Sequence, residues 1–114
     1  MHRLIRIVSF VIILLGVVHV YFAFPVQMGE GTLWFIGAGM AIIFAGLLNM
    51  VALHRGGSRF TQGVAAAVNA TTCGLFCFAI PILGEPQVYV GVTIFLITTI
   101  AFVVVLLRSK LSPP

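Results

Sequence analysis

Residues 88–107 read VYVGVTIFLITTIAFVVVLL, a run without one charged side chain. A helix rising about 1.5 Å per residue needs about 20 mostly apolar residues to cross a hydrocarbon core of about 30 Å. This run has that length. Working back towards the start, Phe60 to Leu83, Leu33 to Leu53 and Leu4 to Phe24 are comparable, the last broken only by Arg6. All four are too long for globular strands, and they lack the roughly ten-residue alternation of a membrane barrel. Between them stand residues that end helices: Pro25 with Gly29-Glu30-Gly31, then His54-Arg55-Gly56-Gly57-Ser58, then Gly84-Glu85-Pro86. The reading is an all-α membrane protein, one antiparallel bundle of four transmembrane helices over residues 1–114, with spans at about 4–24, 33–53, 60–83 and 88–107.

Composition agrees. Of 114 residues, 61% are hydrophobic and 7% charged, with a mean hydropathy of +1.24. Soluble domains carry about 25% charged residues, so soluble, disordered and coiled-coil classes are excluded. The net charge of +4 comes from six cations against two acids rather than from a basic stripe interleaved with aromatics, so nucleic acid is not a partner. Two cysteines make no disulfide framework. The first run ends Val20-Tyr21-Phe22-Ala23-Phe24-Pro25, without the small-x-small pattern of a signal cleavage site, and reads as an uncleaved span.

Charge gives an orientation. Arg3, Arg6, Arg55, Arg59, Arg108 and Lys110 fall on the side of the termini, and Glu30 and Glu85 fall on the other. The positive-inside rule places both termini in the cytoplasm, with Tyr21, Trp34 and Tyr89 at the outer interface. The outer turns echo each other: Phe22-Ala23-Phe24-Pro25 and Gly29-Glu30 precede Trp34, while Phe78-Ala79-Ile80-Pro81 and Gly84-Glu85 precede Tyr89. The echo implies two tandem parallel hairpin repeats related by an axis along the membrane normal. Glu30 and Glu85 would then meet at one outer mouth.

Polar residues inside a span are costly and face the bundle. Asn69, Cys73 and Cys77 recur every four residues on helix 3, with Gln62 on the same face and Thr71 and Thr72 beside it. Helix 1 contributes His19, placed about 7–8 Å below the outer boundary; helix 2 contributes Asn49. Depth counted from the ends of the runs puts Asn69 near the midplane and Asn49 near the cytoplasmic end. The energetics of an imidazole in hydrocarbon turn His19 inward, towards helix 3. The asparagines bond between helices, and Thr93, Thr98 and Thr99 bond their own backbone one turn back. Gly37-x3-Ala41-x3-Ala45, Ala66-x3-Ala70-x3-Gly74, and Gly39 with Gly46 form small-residue stripes for close packing. His19, Cys73 and Cys77 at similar depth make a conceivable soft ligand set, but ionised thiols are expensive in hydrocarbon, and no metal or other cofactor is expected. No span holds an acid, which argues against a proton-coupled cation exporter, and no nucleophile triad or phosphate loop is present.

The basic start, Gly16-Val17-Val18-His19 in helix 1, and four short-looped spans ending in a basic tail together resemble the DoxX-like set of small bacterial four-helix membrane proteins. The resemblance implies the architecture and a bacterial inner membrane; it implies no reaction, so no catalytic residue is carried over. A membrane enzyme or haem carrier would have to rest on His19, the asparagines and the cysteines, the least favoured reading, and two other functions stand ahead of it. One is binding or passage of a small apolar or amphipathic molecule or lipid, in an outward-opening pocket lined by His19, Trp34, Asn69, Thr72, Cys73 and Cys77. The other is a non-catalytic subunit or immunity-type factor that packs against a second copy or another membrane protein.

Overall fold

A computed structural model of the chain describes residues 1–22 and 29–111, the side chains of Glu30, Lys110 and Leu111 excepted. Four helices carry it: α1 (His2–Tyr21), α2 (Glu30–Leu53), α3 (Arg59–Leu83) and α4 (Pro86–Leu111), with a single 3-10 turn at His54–Gly56. Each is long and apolar enough to cross a membrane, and no strand occurs among the described residues. In an apolar solvent the helix satisfies every backbone polar group within its own segment, so such runs have little alternative.

The helix ends follow from local chemistry. Ser58 caps α3, its hydroxyl accepting the Thr61 N–H at 3.1 Å. Gly84 closes α3 in the left-handed region, φ 60°, and donates its N–H to the Ile80 carbonyl at 2.9 Å. Pro81 sits in the last turn of α3, where it cannot donate to the Cys77 carbonyl. Pro86 opens α4, a position that suits its fixed φ. Gly57 has φ 62°, and a Cβ there would run into the Ala52 carbonyl oxygen. Helix α1 is described as far as Tyr21; residues 23–28, with the expected end at Phe24 and the following Pro25, lie outside the described residues.

Helices α1 and α2 form one close hairpin and α3 and α4 the other; α2 against α3 and α1 against α4 join them, which puts α1 and α3 on a diagonal. The first hairpin is tight because glycines face across it. A Cβ on Gly16 would lie 2.6 Å from Ile43 and 2.9 Å from the Gly39 carbonyl oxygen, and one on Gly46 would lie 2.5 Å from Ile13. In the second hairpin, Gly91 receives the ring of Phe76, which stacks on Phe95 at 5.6 Å.

The core has three storeys. Nearest the termini, Ile5, Ala52, Leu53, Ala65, Ala101, Phe102 and Val105 pack together. Farther up, Ile12, Ala45, Cys73 and Phe95 form a second apolar cluster. Between them every helix places one polar residue: Ser9, Asn49, Asn69 and Thr98, each 0% exposed. The described arginines lie at the termini end and Glu85 at the turn end, where Tyr21, Trp34 and Tyr89 are exposed.

Candidate functional site

Among the described residues, the four side chains of the polar storey are fully buried. Asn49 and Asn69 exchange amide hydrogen bonds, Asn69 Nδ2 donating to Asn49 Oδ1 at 2.7 Å and Asn49 Nδ2 to Asn69 Oδ1 at 3.3 Å. Asn69 also donates to the Ala65 carbonyl at 2.6 Å. Thr98 donates to the Ile94 carbonyl at 2.8 Å, and Thr93 and Thr99 likewise bond back to Tyr89 and Phe95, as expected. The Ser9 hydroxyl has no partner. Interhelical bonding of the asparagines is as the sequence predicts, but their depths are not: the reciprocal bond sets them at one level. Asn49 lies about 6 Å from the end of α2 and Asn69 about 15 Å from the start of α3. Helix α3 therefore projects about 9 Å beyond α2 at that end, and a depth counted from each run's own boundary misjudges the pair.

His19 is half-buried, but against α2 rather than α3. Its ring stacks on Phe35 with centroids 3.8 Å apart and 14° between planes, and its Cδ2 lies 3.1 Å from where a Cβ on Gly39 would stand. The reason is the diagonal: a residue of α1 meets α2 and α4 before it can reach α3. Its Nε2 is buried without a hydrogen-bond partner.

The remaining candidates separate. Cys73 is buried, with its sulfur 3.6 Å from the Val92 carbonyl of α4. Cys77, one turn on, is exposed, because four residues overshoot a full turn by about 40°. Thr72 donates to its own Val68 carbonyl at 2.7 Å, as Thr71 does to Ala67. Trp34 is exposed on α2. Glu85 is exposed at the turn end and accepts from Gln87; the side chain of its expected companion, Glu30, lies outside the described residues. So the structure brings Asn69 and Cys73 to the core, sets His19 on another interface, and turns Trp34 and Cys77 outward. No three of the His, Cys, Asp and Glu side chains among the described residues gather as metal ligands would.

Sequence reasoning missed Ser9, and it read Thr98 only as a self-bonded hydroxyl, not as part of the buried polar level. Their signal is positional: each sits one helical turn from core residues on both sides, Ile5 and Ile12 for Ser9, Phe95 and Phe102 for Thr98. A lone hydroxyl in an apolar run has no polar neighbours at helical spacing to draw attention to it. No family model matches this chain, and no curated protein and no solved structure matches it either.

Proposed function

We propose that the chain is a non-catalytic membrane subunit that works by packing α3 against another transmembrane helix, in a second copy or in a partner. One observation carries this. Helix α3 is the least apolar of the four, yet 11% of its most apolar stretch is buried, against 22% to 33% in the others. A membrane bundle ordinarily shields its least apolar helix best. The outward side of α3 has a seam of small residues at three- and four-residue spacing: Gly63, Ala67, Ala70, Gly74 and Cys77, with Thr71 beside it. Nothing lies within 4 Å of a Cβ built on Gly63 or Gly74. Close backbone approach along such a seam drives association where lipid removes the hydrophobic incentive.

Native mass spectrometry of the purified protein tests the reading. The wild type should appear with a second copy or a co-purifying membrane protein, and Gly74→Leu, which has room in the single chain, should abolish that species without loss of helicity. A monomer in both cases refutes it.

A second reading, retention of a small amphipathic molecule near the turn end, is supported by the unpartnered Nε2 of His19 beside Phe35. His19→Ala should then weaken ligand retention while leaving the melting temperature in place. We also propose cytoplasmic termini in a bacterial inner membrane, supported by the gathering of the described arginines at one end. A cysteine at Ser58 should label from inside and one at Gly31 from outside. A DoxX-like relationship and a tandem duplication are proposals of the same standing. Gly16-Val17-Val18-His19 supports the first, as the motif that lets α2 close on α1; the tighter pairing within each hairpin than between them supports the second.

A further inference from the structure

Three arginine side chains converge at the termini end. A recess of about 540 Å³ is lined there by His2 and Arg3 of α1, Arg59 and Gln62 of α3, and Arg108 and Ser109 of α4, with Gly57 and Val105 completing it. Three elements far apart in sequence thus contribute charge to one concavity. Neither glutamate of the chain is near: Glu30 opens α2 and Glu85 precedes α4, both at the opposite end. The geometry points to a binding site for the phosphodiester headgroup of an anionic lipid.

Arg59 is the fixed point. Its Nη1 donates to the Leu106 carbonyl at 2.9 Å and to the Ser109 hydroxyl, tying it to the end of α4. A guanidinium has five N–H donors in a rigid fork, so Nε and Nη2 remain able to serve another acceptor. The start of α1 adds to the field. Met1 caps that helix without a side-chain bond, and a helix N-terminus presents N–H groups and positive potential to an anion. Arg59 and Gln62 stand in the first turn of α3, whose dipole has the same sense, so two helix starts face the recess against the one helix end of α4. Gln62 is 4% exposed, so part of the wall is enclosed polar surface rather than a rim of mobile side chains. Val105 is 7% exposed and supplies an apolar flank. Depth selects the source of the phosphate. The recess lies where the apolar stretches of α1, α3 and α4 give way to arginine, the level at which lipid phosphates meet a spanning helix. Basic pockets between spanning helices are suited to anionic headgroups. This inference stands apart from the packing role of α3, which uses a different face.

The test titrates the full chain, in micelles of a neutral detergent, with short-chain phosphatidylglycerol, with short-chain phosphatidylcholine and with inorganic phosphate, reading the melting temperature. Phosphatidylglycerol should stabilise the protein saturably, and phosphatidylcholine should not. Arg3→Gln/Arg108→Gln should weaken the apparent affinity about 25-fold, at about fivefold per cation removed near a membrane surface. Arg6→Gln/Arg55→Gln removes the same charge away from the recess and should change the affinity less than about threefold. Arg3→Lys/Arg108→Lys guards against a folding defect and should retain binding within about fivefold. Equal losses in the two glutamine variants would overturn the site. Saturation by inorganic phosphate at the same concentrations, with no further effect of lipid, would overturn its assignment to a lipid.

Discussion

Replacing one member of the Asn49–Asn69 pair should cost more than replacing both. Both side chains are 0% exposed and exchange two hydrogen bonds. Asn69→Leu keeps the branched shape but leaves the Asn49 amide with a donor and an acceptor unmet. A stranded buried polar group costs about 1–3 kcal/mol, and that is the expected loss. Asn49→Leu should fall nearer the lower end of this range, since Asn69 keeps its bond to the Ala65 carbonyl. The double variant strands nothing. Interhelical polar pairs in membrane proteins contribute about 0.6 kcal/mol on average, so the double change should cost about 0.6 kcal/mol, less than either single one. Reversible unfolding in mixed micelles, followed by helicity, gives the four stabilities of the cycle. Additive costs would refute the reasoning, because they would mean that the two amides are satisfied independently.

Other perturbations test other joints. Gly16→Leu forces a side chain into Ile43 and the Gly39 carbonyl and should destabilise by about 1–3 kcal/mol in the same assay, as overpacking does. Gly57→Ala should cost more than about 1 kcal/mol, since the residue combines positive φ with a collision at the Ala52 carbonyl. Ser9→Ala removes a buried hydroxyl that has no partner, and its melt should be unchanged or raised. A loss above about 1 kcal/mol would reveal an unseen acceptor or bridging water.

The architecture was legible because membrane helices are selected by a single-residue property, apolarity summed over a run, which needs no knowledge of neighbours. Capping chemistry at Ser58, Gly84 and Pro86 was similarly local. The partner of His19 was not legible. Inward orientation follows from the cost of an imidazole in lipid, but the choice between α2 and α3 depends on the cyclic order of helices, which hydropathy does not encode. The depths of Asn49 and Asn69 are not legible for a related reason: helix ends at one end of the bundle are staggered, and the stagger is set by packing. The i, i+4 spacing that sets Cys77 on the face of Cys73 drifts by about 40° per step, enough to cross from buried to exposed at the edge of a narrow contact.

The polar storey makes the junction between the hairpins discrete. If α3 slid along α2 by one turn, about 5.4 Å, Ala65 or Cys73 would stand opposite Asn49 in place of Asn69. No other offset would satisfy both amides. The contact therefore behaves as a keyed joint rather than a greased one, and the chain should be intolerant of length in an uneven way. A residue inserted in the 54–58 turn can be absorbed by loop geometry, whereas one inserted between Asn49 and Leu53, or between Arg59 and Asn69, moves a key out of its slot. The same keying gives the two hairpins a single register in which to dock.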